Sequence, residues 1–414
     1  MTIKGNDSTA AARLKRIDDA IALKEPDRIP FVPFFDGVMQ RMYGSSFADN
    51  FYDYRKAGDA AVSFYKDHPL CDAYIFGAST SGRANELAGS SMIDWPGRPG
   101  TKVDKYSTHQ VIEREYLDPE EYPELIDDYT GFMVRKYLPR AYTNLKGFEN
   151  FSLTPTVVLS TGMLAPLYSP QMLEAYKTLE AIGQADAEAA AASAVTSEKM
   201  GELGLAPFIT GMSEAPFDIL GDYFRGTVGL MEDLFEYEDE IAKVCDMFAD
   251  QQIAALQYFK YAPMPVKRVF FPLHKGMDGF LSPRHYEKLY WQPLKRIMDA
   301  LIEMDVTPFI YTEGKYSTRL DTLTDVPKGK VLFHFEDVDM AEAKKKFDGI
   351  ACISGNLPVQ MLEFGKKEQV EDYVKYLIDT CGPGGGYIFD MNGSLENAVP
   401  ENLDAMFNTF EKYQ

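Results

Sequence analysis

Histidine and acidic side chains follow several apolar segments of this 414-residue chain, at spacings that could support metal or acid–base chemistry. His274 follows one apolar run, Glu313 ends the next, and His334 lies near the end of the run after that. Neighbouring strands of a sheet are about 4.8 Å apart, so side chains at three adjacent strand ends can converge on one point. Two imidazoles and one carboxylate predict a site for Zn²⁺ or another divalent metal, with a fourth position open for water or substrate.

Glu313 lies behind an apolar segment and before a glycine, where a carboxylate is costly to bury unless it is paired or metal-bound. We expect Glu313, His334 and Asp390, which follows the last apolar run, to be catalytic. Each residue has a structural alternative. His274 could be a hydrogen-bonded loop histidine and His334 a satisfied core histidine, while Asp390, like Asp278, could be a helix N-cap.

The elements that must position these side chains follow an alternating pattern. Short apolar, β-branched or aromatic runs alternate with longer amphipathic ones, as expected for parallel strands buried on both faces. This α/β pattern favours a (β/α)8 barrel, in which reactive groups lie at the carboxyl ends of the strands. An open doubly wound sheet is the alternative, but the first run continues FFDGVMQRM, without a glycine-rich phosphate turn. The predicted strands are 29–35, 72–77, 206–211, 268–273, 307–312, 330–335, 350–355 and 386–391.

The chain is predicted to form one domain over residues 1–414. The segment 86–205 is too long for a plain crossover, so we interpret it as an elaborated connection between strands two and three that lies over the barrel mouth. The segment 283–304 predicts an amphipathic helix, with Ser282 as its N-cap and Pro283 as its first residue.

Composition excludes several classes of partner. Hydrophobic residues make up 45% and charged residues 25%, which predicts a large core and excludes wholesale disorder. Lys and Arg number 42 against 63 Asp and Glu, and the formal charge of −21 argues against binding nucleic acid or an anionic membrane. No window approaches the roughly 18 apolar residues of a membrane span. Four scattered cysteines and the lack of an apolar signal segment predict a cytoplasmic protein with reduced thiols.

Four stretches of the chain carry a family resemblance. They are the opening DDAIALKEPDRIPF, the helix SPRHYEKLYWQPLKRIMDAL, the strand IACISGNLP and the ending CGPGGGYIFDMNGSLENAVPENL. Together they resemble the uroporphyrinogen decarboxylase superfamily, and the resemblance covers most of the chain. It implies a TIM barrel, in agreement with the strand count, and a homodimer, which is frequent in that superfamily.

Differences from that superfamily's patterns narrow the expected chemistry. True decarboxylases carry an Arg-rich segment after the first strand and an Asp after the second, where this chain has only Arg41 and, near the Asp position, Ala78. A tetrapyrrole bearing many carboxylates needs charge-matched donors, so decarboxylation is not expected. Thiol-directed members of the cobamide-dependent methyltransferase branch place His-x-Cys where this chain has Tyr311-Thr312-Glu313, and they carry a further cysteine on the eighth strand.

The remaining resemblance is to methyltransferases that move a methyl group from an O-methyl compound to the cob(I)alamin of a corrinoid protein. It implies an aryl methyl ether as donor, a partner corrinoid protein over the barrel mouth, and Glu313 and His334 as ligands of a metal that activates the ether oxygen. The alternatives are transfer from a methylcorrinoid to a thiol or a pterin, of which a thiol acceptor predicts soft metal ligands, and a non-catalytic tetrapyrrole-binding barrel. The expected substrate-binding residues are Phe35, Phe76, Met212 and Tyr311 around an aryl ring, and Arg83 or Lys275 on a ring carboxylate.

Overall fold

Extended segments in chain order form a parallel barrel at the centre of the computed structural model, which describes residues 9–76, 81–153 and 161–414. Six of them are strands that pair consecutively, and segments 30–36 and 72–76 join this sheet through isolated bridges. A separate antiparallel pair consists of β1 (Ile93–Asp94) and β2 (Gln110–Val111). The six consecutive barrel strands are β3 (Gly211–Met212), β4 (Arg268–Leu273), β5 (Thr307–Lys315), β6 (Leu332–Asp337), β7 (Cys352–Ser354) and β8 (Tyr387–Ile388).

Backbone hydrogen bonds close the barrel across the two bridged segments. Phe31 pairs in parallel with Phe389 beyond β8, and its carbonyl accepts from the Asp72 amide at 2.9 Å. The Tyr74 amide in turn donates to the Ala206 carbonyl at 3.0 Å, ahead of β3. The six strands and the two bridged segments therefore form a closed ring. The predicted (β/α)8 barrel is confirmed over the open doubly wound sheet.

Helices surround the barrel and build the connections. The α-helices of the described chain are α1 (Ala10–Ile21), α2 (Gly37–Met42), α3 (Asp49–Tyr52), α4 (Tyr54–Asp67), α5 (Gly82–Ala88), α6 (Tyr122–Asp127), α7 (Tyr129–Phe132), α8 (Leu138–Ala141), α9 (Pro170–Glu202), α10 (Pro216–Ile219), α11 (Gly226–Glu236), α12 (Glu238–Ala255), α13 (Pro283–His285), α14 (Gln292–Glu303), α15 (Leu320–Leu323), α16 (Met340–Phe347), α17 (Val359–Phe364), α18 (Lys367–Cys381) and α19 (Pro400–Tyr413). Short 3₁₀ segments lie at Pro119–Glu121, Thr143–Asn150, Thr161–Tyr168 and Leu256–Lys260, and π-helical segments at Met133–Tyr137, Leu220–Arg225 and Tyr286–Trp291.

The helix predicted at 283–304 is present, but a π-helical segment divides it. The Ser282 hydroxyl accepts from the His285 amide at 3.1 Å, which confirms the N-cap. Pro293 lies just beyond the wide turn and lacks the amide that would bond the carbonyl four residues earlier. The helix therefore widens ahead of Pro293 before α14 resumes the regular spacing.

Side chains inside the barrel follow the two-residue period of a strand. Phe270, Phe309 and Leu332, on β4, β5 and β6, are buried in one interior cluster. Ile17 and Ile21 of α1 belong to the same cluster and close the amino-terminal end of the barrel. Each buried side chain of this size contributes about 1.5–3 kcal/mol to folding, so the lower barrel is a packed core and any ligand site lies at the opposite end.

The connection between segment 72–76 and β3 carries the β1–β2 pair and the 33-residue helix α9. Lys199 of α9 forms an ion pair with Asp59 of α4 at 2.6 Å, so the carboxyl-terminal part of α9 packs against the barrel's helical layer. The limits 86–205 for a covering unit, within a domain of residues 1–414, stay a prediction. Within the described ranges, none of the helices combines the length and apolar content needed to cross a bilayer.

Candidate active site at the barrel mouth

The three predicted metal ligands lie in two different layers of the barrel. Tyr311 of β5 is paired in register with His334 of β6, and their rings stack with centroids 4.0 Å apart. Glu313 lies two residues beyond Tyr311 and therefore one layer nearer the mouth. The side chain of β6 at that level is Glu336, which accepts a hydrogen bond from the Gly314 amide. The expected convergence of His274, Glu313 and His334 is thus wrong for His334.

His334 is sealed inside the barrel. Its side chain is fully buried, and Nε2 donates to the Met391 carbonyl at 2.7 Å and lies 3.3 Å from Asp390 Oδ2. Nδ1 is buried without a hydrogen-bond partner among the described residues. Burial lowers the pKa of His334 to about 3, so the ring is neutral. His334 is therefore a core histidine, as the structural alternative predicted. Its buried side chain does not reach a substrate at the mouth.

Asp390, which was also expected to be catalytic, links the first segment of the barrel to the chain after β8. Its Oδ1 accepts from the Phe34 amide at 2.8 Å and from the Met391 amide at 2.7 Å. The side chain is buried, and burial raises the pKa of Asp390 well above its usual value, against the two amide hydrogen bonds, which favours the protonated carboxyl group. Asp390 therefore contributes to barrel closure and does not reach the mouth.

His274 and Glu313 do meet at the mouth. His274 Nε2 lies 3.7 Å from Glu313 Oε1, and Nδ1 is hydrogen-bonded to Asp222 Oδ2 at 2.6 Å. About a third of the His274 side chain and nearly half of Glu313 are exposed. The imidazole thus lies between two carboxylates, with Nδ1 hydrogen-bonded to Asp222 and Nε2 near Glu313.

A buried acid positions the loop that carries His274. Asp218 of α10 is fully buried and accepts from the amides of His274 at 3.0 Å and Lys275 at 2.8 Å. Its Oδ2 also accepts from the Tyr290 hydroxyl at 2.5 Å. These three bonds hold the chain after β4 in place, so Asp218 is a positioning residue for His274.

The charges around His274 stabilise its protonated form. Burial acts to lower its pKa, but the Asp222 hydrogen bond and the charges of Asp218, Asp222 and Glu313 outweigh burial and raise the pKa of His274 to about 9. Burial also disfavours the ionised form of Asp222. The hydrogen bonds and charges of His274 and Lys275 outweigh burial and lower the pKa of Asp222 below its usual value. The pKa of Glu313 is raised by partial burial and by Glu336, against the effect of His274. At neutral pH, His274 is an imidazolium paired with an ionised Asp222.

A second acid–phenol pair lies beside this group. Tyr223 donates to Glu214 Oε1 at 2.6 Å, while Glu214 Oε2 is buried without a partner in the described chain. Burial raises the pKa of Glu214 to about 7. Tyr223 lines the cavity at the mouth, and Glu214 lies behind it, so a titratable carboxyl group accepts from a hydroxyl group of the wall.

The residues present do not assemble the predicted metal site. Over residues 9–76, 81–153 and 161–414, no three His, Cys, Asp or Glu side chains are arranged to hold a metal ion. His334 Nε2 is already bonded to a carbonyl, and the four cysteines are buried. The pair His274 and Glu313 remains from the expected ligand set, which is fewer than the three protein ligands of a catalytic zinc site.

A cavity of about 790 Å³ opens beside the acid–base group, at the carboxyl ends of the first three staves. Its volume lies within the range of about 300–1,000 Å³ that is typical of small-molecule sites. The walls are mainly apolar and aromatic. Asp222 is one of the lining residues and is hydrogen-bonded to His274. The β1–β2 pair contributes Ile93 and Val111, so the long connection covers part of this cavity.

The predicted substrate-binding residues divide into two groups. Phe35, Phe76 and Met212 line the cavity. Tyr311 is buried beneath the mouth against His334 and does not line it. The two cationic residues do not line it either: Arg83 is paired with Glu188 at 3.5 Å, and the Lys275 ammonium group contacts Asp222 and lies 3.7 Å from Glu113 Oε1. Ala78, expected near the decarboxylase Asp position, lies outside the described residues.

Sequence reasoning missed four acids of the mouth, although each left a signal. Asp36 directly follows the first strand in FFDG, and Glu214 closely follows the third in GMSEAPFDILGDYF. Asp218 and Asp222 lie four residues apart in that same stretch, a spacing that places two side chains on one helical face. A search for acids after every strand, including short helices, would have found them.

Comparisons with known proteins agree with this architecture. Residues 162–413 match the family described as Uroporphyrinogen decarboxylase (URO-D). Over 142 residues, the chain is 23% identical to the uroporphyrinogen decarboxylase of Pseudoalteromonas translucida and 25% identical to that of Pseudoalteromonas atlantica. Each match covers 33% of this chain and 39% of the relative, so the chain spans about two fifths of their length.

Among solved structures, a match extends along nearly the whole chain. It is a methyltransferase from Methanosarcina mazei, with a TM-score of 0.62 and 13% sequence identity, and the match covers 97% of this chain and 98% of that one. At this identity the likeness shows the shared fold.

Proposed function

The chain belongs to the uroporphyrinogen decarboxylase (URO-D) family, and from that premise we propose that it is a methyltransferase that moves a methyl group from an O-methyl compound to the corrinoid of a partner protein. An aryl methyl ether is the proposed donor. The fold it shares with the Methanosarcina mazei methyltransferase supports this proposal, as does a cavity whose aromatic walls suit a ring. Decarboxylation has less support, since no Lys or Arg lines the described walls of the cavity.

The observation that carries the proposal is the position of His274. Its ring lies between Asp222 and Glu313, and Asp222 lies on the cavity wall. The Nε2 proton has no hydrogen-bond partner within 3.5 Å among the described residues, because the nearest carboxylate oxygen is 3.7 Å away. His274 is therefore a charged donor with its proton available at the mouth.

This arrangement suits the cleavage of an ether. The corrinoid of the partner protein supplies the nucleophile and retains the methyl group. The methyl–oxygen bond breaks with its electron pair on oxygen, a poor leaving group unless it gains a proton. His274 Nε2 supplies that proton and an alcohol or phenol departs, while Asp222 fixes the ring and stabilises its charge. Glu313, beside Nε2 and nearly half exposed, relays a proton from solvent to His274 after product release.

The proposal is tested by a methyl-transfer assay with two substrates in parallel. Purified protein is mixed with 4-methoxyphenol and cob(I)alamin, either free or on a corrinoid protein, and the methylcorrinoid spectrum and released hydroquinone are followed. A second arm offers methylcobalamin and a thiol. We expect equal amounts of methylcorrinoid and hydroquinone in the first arm and no thiol methylation in the second. Transfer only to the thiol, or no transfer from any methyl ether, would overturn the proposal.

A further inference from the structure

We infer that the methyl donor is a methoxyaromatic compound that carries a hydroxyl or ammonium group and no carboxylate, and that Asp36 in the cavity wall selects for it. This inference rests on the proposed function and deepens it by naming the substrate class. It reverses the expectation that Arg83 or Lys275 binds a ring carboxylate.

The charge of the cavity wall is the first argument. Two acids, Asp36 and Asp222, belong to the described lining, which includes no Lys or Arg. Burial and the charge of Glu396 raise the pKa of Asp36 to about 7, so Asp36 is mostly ionised at pH 8. Partial burial lowers the pKa of His109, so this ring does not supply a positive charge at neutral pH. The two internal segments outside the described residues, 77–80 and 154–160, contain no charged residue in the sequence. A carboxylate that entered this cavity would lose hydration without gaining a cationic partner.

Two cations close in sequence to residues of the site, Lys275 and Arg41, already have partners in the protein. Lys275 is buried, and its ammonium group contacts Asp222. Arg41 donates from Nε to the Glu396 carbonyl at 3.1 Å, and its guanidinium lies 4.1 Å from the centre of the Tyr106 ring. Recruiting either cation for a ligand carboxylate would break these contacts, so the apolar cavity stays without a counter-charge.

Asp36 is the acid that remains available for a ligand. It follows the first stave and precedes α2, but its side chain does not cap that helix. Its carboxylate makes no hydrogen bond to any residue that the structure describes, whereas Asp222 is bonded to both His274 and Lys275. A carboxylate on an apolar wall gains most from a donor, such as a phenol or an ammonium group.

The aromatic side chains complete the argument. Phe34, Phe51, Phe76, Tyr223 and Phe270 line the same cavity as Asp36. Their faces can stack on an aryl ring, and they attract a cation through the ring quadrupole. Acid and aromatic faces in one cavity therefore favour a neutral or cationic aromatic ligand over an anionic one.

Binding measurements with three matched probes test the inference separately from methyl transfer. Isothermal titration at pH 8 compares 4-methoxyphenol, 4-methoxybenzylamine and 4-methoxybenzoate, which share a methoxyaryl group and differ in the substituent opposite it. We expect the wild-type protein to bind the phenol and the amine at least about tenfold more tightly than the benzoate. Asp36→Asn should reduce the preference for the amine over the benzoate about tenfold, and Asp36→Lys should reverse it. Asp404→Asn, at an exposed acid of α19 outside the cavity, is the matched control.

The outcomes separate this inference from the proposed function. Benzoate binding as tight as that of the amine, or an unchanged preference in a folded Asp36→Asn protein, overturns the selection by Asp36. Equal methyl transfer from 4-methoxybenzoate and 4-methoxyphenol overturns it too and leaves the methyltransferase proposal intact. Selective binding without methyl transfer removes the proposed function while the charge selection stands. Circular dichroism and the melting temperature establish that the variants are folded.

Discussion

Two histidines one layer apart in the same barrel have opposite chemistry. His274 at the mouth is 2.6 Å from Asp222 and has its pKa raised to about 9, whereas His334 below it is 3.3 Å from Asp390 and has its pKa lowered to about 3. Both rings have an aspartate neighbour, so the neighbour alone does not explain the difference.

The difference lies in what else each aspartate contacts. Asp222 is held in its ionised form by both His274 and Lys275 near the exposed mouth. Asp390 is buried and accepts two backbone amides, and burial favours its protonated form, which offers no negative charge to His334. One pair is ionic and can supply a proton, whereas the other is neutral and structural. Four experiments test this contrast.

The largest effect is expected from His274→Gln. Removing a positioned proton donor typically costs 10²–10⁴-fold in rate, so kcat for methyl transfer should fall by about that factor. Stopped-flow measurement of methylcorrinoid formation gives this rate. His285→Gln is the control, because His285 lies at the surface beside Glu238 at 3.4 Å, and this variant should keep full activity. Equal rates for the two variants would contradict the assignment.

Asp390 should affect stability. Asp390→Ala leaves the buried amides of Phe34 and Met391 without an acceptor, which costs about 1–3 kcal/mol for each. We expect the free energy of unfolding in urea to fall by about 2–4 kcal/mol. Asp390→Asn keeps one oxygen that accepts from both amides and replaces the second carboxyl oxygen with a neutral amide nitrogen of similar size, so it should cost less than about 1 kcal/mol. Similar losses in the two variants would show that Asp390 is not protonated.

Asp222→Asn should move the alkaline limb of the pH profile. The active form has a protonated His274, so activity is lost as pH rises through about 9 in the wild type. Without the Asp222 hydrogen bond and charge the pKa of His274 should fall, and the rate at pH 9 should drop by about tenfold or more. Glu113→Gln is the control, because Glu113 lies 3.7 Å from Lys275 and is not bonded to His274. An unmoved limb in Asp222→Asn would assign the titration to another group.

The smallest effect concerns His334 and the stability of the fold in acid. The folded state keeps this ring neutral down to about pH 3, whereas the unfolded chain takes up a proton near pH 6.5. Stability therefore decreases as pH falls below 6.5, by about 1 kcal/mol between pH 6.5 and 5.5. His334→Gln should remove that part of the slope. Urea unfolding at the two pH values measures it, and an unchanged slope would mean that His334 is charged when folded.

The barrel was predictable from the chain because it is a periodic structure. A parallel strand buried on both faces needs an uninterrupted apolar run, and over the described residues each of the eight predicted runs overlaps a strand or bridged segment of the barrel. The layer of the barrel in which each side chain lies was not predictable, because the strand hydrogen bonds continue beyond the end of the apolar run. β5 continues to Lys315 and β6 to Asp337, beyond the predicted ends at 312 and 335. His334 therefore lies within its strand, and Glu336 takes the position at the mouth.

The amino-acid sequence by itself determined the barrel, the order of its staves and the presence of Glu313 and His274 after their strands, because these follow from local periodicity and chain order. Only the tertiary structure decided which histidine is charged and which acid is free. Those properties depend on burial and on partners more than fifty residues away, such as Asp222 for His274 and Met391 for His334. A pKa is set by distances and desolvation in three dimensions, and neither quantity is encoded in the spacing of residues along the chain.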